Sequence, residues 1–171
     1  MATYELIETI TLGSNAASVT FSDIPQTYTD LKMVMSARTT DTSGDGYGVP
    51  IVRINNDSGA NYSGRRIRAT GSGVSAAATP TTFLYTGIWT GNYATANSFT
   101  NSEFYIPNYT GSTYKSCSAT SATESNTALS YIELSASMWL NAAAITSIAV
   151  IGNSTIMVTN SSFSLYGIKK A

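Results

Sequence analysis

Tyr131-Ile132-Glu133-Leu134-Ser135-Ala136-Ser137-Met138-Trp139-Leu140 is the stretch that decides the fold. Ile132, Leu134, Ala136, Met138 and Leu140 stand at every second position. Side chains two apart share one face of a strand, whereas a helix needs apolar residues three and four apart. The two-residue period predicts that Ile132, Leu134 and Met138 face the core while Tyr131 and Trp139 lie on the opposite side, Trp139 exposed or at an interface.

The same period recurs outward from this segment. Leu31, Met33, Met35 and Ala37 alternate with Lys32, Val34, Ser36 and Arg38. Further strand candidates cover residues 4–11, 19–21, 49–54, 67–69, 82–90, 103–106, 113–120, 145–151, 155–158 and 163–168. Trp89 alternates with Phe83 and Tyr85, the pattern of a core face. Gly, Asn, Asp and Ser clusters separate the runs, at residues 43–46, 55–59, 71–73, 91–92 and 108–111. Gly and Asn adopt positive φ readily, so these clusters read as turns. No run sustains a 3.6-residue period. The fold class expected is all-β, an antiparallel sandwich of eight to ten strands forming one domain over residues 1–171, with residues 39–48 and 71–79 as irregular loops.

Composition narrows the function. Only 11% of the 171 residues are charged, against about 25% in ordinary soluble domains. The 49 serines and threonines and 12 asparagines supply the polar surface instead, a surface suited to contact with other protein. The net charge of -1 argues against nucleic acid, which calls for a basic face. Histidine is absent, which removes His-based triads and every His-containing zinc site. Cys117 is the single cysteine and reads as an inert strand residue. The opening Met-Ala-Thr-Tyr-Glu lacks the basic and apolar regions of a secretory signal, so synthesis in a cytoplasm is expected. The most apolar segment, residues 142–151, is half the length of a membrane-spanning helix.

Candidate sites are few. Asp41 and Asp45-Gly46 imitate part of a calcium loop, but Val52 stands where an EF-hand places its bidentate Glu; a polar turn is the better reading, and the alternative left open is a loop-built calcium site that Asn55 and Asp57 would join if they lie nearby in space. Glu103, Glu124 and Glu133 are scattered singly rather than paired as glycoside hydrolysis requires. No Ser stands in a Gly-x-Ser-x-Gly elbow. Five Asn-x-Ser/Thr sequons, at Asn56, Asn61, Asn108, Asn153 and Asn160, are close to what this hydroxyl-rich composition produces by chance. Arg65, Arg66 and Arg68 form the one basic cluster; on a strand Arg66 and Arg68 share a face and Arg65 lies opposite. Two readings stay open: an interface presenting guanidinium forks, whose loss would leave the fold unchanged, or an edge strand guarded by charge. Tyr47, Tyr62, Tyr93 and Tyr109 lie in or beside turns, positioned to touch a partner or a glycan.

Several segments carry a resemblance: residues 4–11, 19–25 and 28–31 near the start, then 105–109, 114–116, 123–126, 144–148 and 164–169. Together they resemble small virion structural proteins of tailed bacteriophages. The resemblance implies a jelly-roll-like sandwich without cofactor, metal or chemistry, resident in the virion. The expected role is a capsid decoration (cement) protein, a homotrimer seated on the major capsid protein. The alternative is a tail or fibre receptor-binding module that contacts host-surface glycan; an enzyme such as a depolymerase comes third.

Overall fold

The computed structural model describes residues 2–42, 47–78, 81–124, 126 and 130–169. These residues contain strands and no helix: β1 (Thr3–Thr11), β2 (Ser18–Phe21), β3 (Asp30–Ala37), β4 (Tyr47–Gly48), β5 (Ile51–Ile54), β6 (Tyr62–Thr70), β7 (Gly73–Ala78), β8 (Leu84–Tyr85), β9 (Trp89–Thr90), β10 (Thr100–Ile106), β11 (Lys115–Thr123), β12 (Tyr131–Trp139), β13 (Ile148–Ile151) and β14 (Ser162–Lys169). An eight-stranded sheet runs β1-β14-β3-β10-β11-β12-β6-β7, a four-stranded sheet runs β2-β13-β5-β8, and β4 pairs with β9. All of these strand pairs are antiparallel. The two larger sheets enclose one apolar cluster: Met33, Met35, Phe104, Phe163 and Leu165 on one side, Phe21, Val52, Ile54, Ile148 and Val150 on the other. The all-β sandwich expected from the two-residue period is present, built unequally as eight strands against four.

More strands form than the period alone predicts, because turns cut some runs and glycine-rich segments extend others. The run 82–90 splits into β8 and β9 around Gly87, whose φ of +103° strains an L side chain and where a Cβ would lie 2.3 Å from Ser121 Oγ. The broken backbone finds hydroxyl partners in place of a ladder. Ile88 N–H donates to Ser121 Oγ at 3.0 Å, Thr123 Oγ1 donates to Ile88 O at 2.8 Å, and Ser102 Oγ donates to Thr86 O at 2.6 Å. This is why Thr100 and Ser102 of β10 and Ser121 and Thr123 of β11 sit on the inner face and are buried. Residues 155–158 form no strand; Met157 makes only isolated bridges to Ala16 and Thr39. The expected loop at 71–79 contains β7, joined to β6 by a two-residue turn between Thr70 and Gly73.

The register of β12 is the reverse of the one its apolar alternation suggests. Ile132 and Leu134 are 66% and 52% exposed and Met138 is half-buried, while Tyr131, Glu133, Ser135, Ser137 and Trp139 point inward. Two effects outweigh the burial of Ile132 and Leu134. Trp139 buries a larger apolar surface than either, and its indole N–H finds Asp57 Oδ2 at 2.8 Å. The same register sets Glu133 opposite Arg68 on the inner face.

Candidate functional site: an internal arginine clamp and an exposed sheet corner

β6 lies between β12 and β7, so the arginine cluster is not on an edge strand. Its alternation holds: Arg66 and Arg68 point inward and Arg65 outward. The inward pair meets Glu133, whose side chain is fully buried. Arg68 donates to Glu133 Oε2 through Nε at 3.2 Å and Nη2 at 3.1 Å, and through Nη1 to the Tyr47 hydroxyl at 2.9 Å. Its guanidinium lies 5.1 Å from the Tyr47 ring centre and 5.8 Å from that of Tyr131. Tyr47 and Tyr131 meet edge to face at 4.6 Å. Arg66 Nη1 is 3.7 Å from the same carboxylate oxygen, and its guanidinium stacks 4.6 Å over Tyr85. A desolvated carboxylate needs such partners, since an unpaired buried charge is costly. The arrangement clamps β6, β12, β8 and β4 to one another. The expectation of Arg66 and Arg68 as forks facing a neighbour is therefore corrected: their visible partner is Glu133 of their own chain.

The other candidates divide in the same way. Tyr62 is buried, its hydroxyl donating to Asp57 O at 2.9 Å, and desolvation pushes its pKa up to about 12. Tyr109 is also buried, its hydroxyl donating to Pro25 O, and Trp139 is 1% exposed. Turn position misled for Tyr62 and Tyr109, because each ring folds back under its turn. Tyr47 is half-buried on Arg68, whereas Tyr93 and Arg65 are exposed. Of the calcium imitation, Asp45 and Gly46 lie outside the described residues. Asn55 Oδ1 accepts from Thr146 and Ser147 N–H, and Asp57 accepts from Gly59 N–H, Asn61 and Trp139. Among the described residues no three His, Cys, Asp or Glu side chains converge.

Sequence reading missed two buried cations. Lys115 Nζ donates to Gly111 O and Thr113 O, each at 2.6 Å, and burial lowers its pKa. Arg38 donates to Thr95 O, Ser98 O and Ala94 O, holding the segment that leads into β10. Neither has a sequence signal beyond a lone cation in an alternating strand. Cys117 is buried in the core cluster, and desolvation pushes its thiol up to about 12, in keeping with an inert residue.

The outer face of the large sheet is ordered in cross-strand rows. One row reads Thr11, Ser162, Ser36, Asn101, Ala122, Ile132, Ala69, Val74 from β1 to β7. The next reads Thr9, Ser164, Val34, Glu103, Thr120, Leu134, Ile67, Ala76. The polar half carries the Lys32–Glu103 ion pair at 2.9 Å. The half on β12, β6 and β7 is apolar, with Ile132, Leu134, Ile67 and Val74 all more than half exposed. Side chains of this kind fill cores or interfaces, and gathered on one sheet corner they form a contact surface. Compared with known families and curated proteins, the chain matches no family model and no curated sequence.

Proposed function

We propose that the chain is a non-enzymatic virion structural protein, and specifically a capsid decoration protein that stabilises the major capsid shell of a tailed phage. A jelly-roll-like reading of its sandwich belongs to the same proposal. The observation that carries it is the exposed apolar corner of the large sheet, formed by Ile132, Leu134, Ile67 and Val74. Such a corner serves contact with protein, and the low charge of the chain suits a subunit enclosed by neighbours. The clamp around Glu133 serves the same end, since it rigidifies the sheet on which the corner is displayed.

The test is stoichiometric. Undecorated shells mixed with purified protein should bind hundreds of copies saturably and then resist heat and osmotic shock better than bare shells. Shells that bind none overturn the decoration role. A count of a few to a few dozen copies per particle, confined to the tail, overturns it in favour of a tail module.

A further inference from the structure

We infer that the apolar corner on β12, β6 and β7 is an interface between two copies of this chain. Three rows cross these strands: Ile132, Ala69, Val74; then Leu134, Ile67, Ala76; then Ala136, Arg65, Ala78. Eight of these nine positions are apolar, and the charged one, Arg65, stands in the outermost row. This inference rests on the assembly reading above and names the occupant of the same surface.

Four features select a second copy. First, the grid mixes large and small side chains, so the ridges made by Ile132, Leu134, Ile67 and Val74 have alanine hollows beside them. A copy related by a two-fold axis sets its ridges over those hollows, the interdigitation that packed sheets use. Second, the corner contains a hole as well as knobs. A cavity of about 330 Å³ lies over Ala69, Ala122 and Ile132 and is bounded by Thr70, Thr123 and Tyr131. Val74, 75% exposed, projects from the same corner. Third, the described rows carry one positive charge, Arg65, and the cavity beside them one negative charge, Glu124, so the surface has no net charge and meets its own copy without net like-charge repulsion.

Fourth, the two edges of the large sheet are treated differently. β1 carries a bulge between Leu6 and Glu8, and its Glu5 is tied to Lys169 at 2.8 Å. These are devices that block strand addition. β7 has no charge and no bulge, and every residue of it is exposed. A bare edge beside an apolar face is left unguarded where another subunit covers it.

The area fits a pair. Three strands about 4.8 Å apart and six residues rising about 3.4 Å each give a footprint on the order of 300 Å². With the free edge of β7 included, two such surfaces bury on the order of 1,000 Å² in total, close to the least that a specific pair uses. The pairing is isologous, so it gives a two-fold dimer rather than the three-fold ring expected from the resemblance.

Sedimentation and light scattering of the purified chain at tens of micromolar test this. The expected mass is twice 18.0 kDa. Leu134→Glu and, separately, Val74→Lys should each return the mass to that of one chain while the thermal transition read by circular dichroism is retained. If either variant loses its cooperative transition, Leu134→Thr, which keeps a strand-favouring side chain, reads the same contact. A wild-type monomer, a three-fold mass, or a pair that survives in the folded variants overturns the inference. Shell binding by the wild type keeps the two readings apart: a wild-type chain that stays monomeric in solution and still fills the shells overturns this inference alone, and a dimer that ignores shells overturns only the decoration role.

Discussion

Glu133 shows how one buried carboxylate changes the meaning of its neighbours. Taken as a surface cluster, Arg66 and Arg68 are expendable for folding; set around a side chain with no exposure, they are not. Removing one partner of a buried ion pair costs roughly 3–5 kcal/mol, because the remaining charge stays desolvated. Arg68→Ala should fall in that range in urea unfolding, and the outward Arg65→Ala should stay within about 0.5 kcal/mol of wild type. Equal, small effects for both would show that the clamp is not closed in solution. Asp57 makes the corresponding case for pH. The Trp139 indole N–H holds its carboxyl below the usual carboxylate range. A carboxyl depressed in the folded state contributes stability that is fully present above its unfolded value and is lost as pH falls through the folded value. Stability of the wild type should therefore decline through the acid range more steeply than that of Asp57→Asn, which has no proton to take up there. Parallel acid profiles for the two would remove Asp57 from the account.

At the scale of the element, β12 carries the sharpest test of register. Trp139→Ala should cost about 3–5 kcal/mol, as large buried aromatics do. Leu134→Ala, half exposed on the outer face, should change the stability of the monomer by no more than about 0.5 kcal/mol. The reverse ranking would restore the register that simple alternation predicts. β3 was legible in the sequence because only one of its faces is rich in large apolar residues beyond Val34, and that face, Leu31 to Ala37, is buried. β12 was not, because both faces carry large apolar side chains. The choice between them rests on Arg68, 65 residues away from Glu133, and on Asp57, 82 residues away from Trp139. The shared face of Arg66 and Arg68 needed only the two-residue period and was readable; their partner needed the strand order. β7 was hidden by its composition, since Gly71-Ser72-Gly73 followed by alanines looks like a loop. Gly71-Ser72 closing a two-residue hairpin on β6 was the available signal.

Across the whole molecule, the unequal sandwich sets a gradient of stability from one side to the other. β3, β14 and β10 lie at the centre of burial, with Met33, Met35, Phe104, Phe163 and Leu165 packed against the smaller sheet. That sheet ends at β8, which reaches over β12 and β6, and β7 beyond them is exposed on both faces and along one edge. Local opening is cheapest where a strand has few buried contacts and hydrogen bonds on one side only. Amide hydrogen exchange of the dilute chain should accordingly be slowest in β3, β14 and β10 and fastest, among the strands, in β7. β1 should fall between these limits: it too is an edge strand, but Ile7 and Ile10 pack against the core cluster. Raising the protein concentration should slow exchange in β7 selectively, because a second copy would cover that edge while leaving the buried strands unchanged. Protection of β7 equal to that of β3 in the dilute monomer would contradict the gradient. Concentration-independent exchange at β7 would instead leave the gradient standing and show that its free edge is not what the second copy covers.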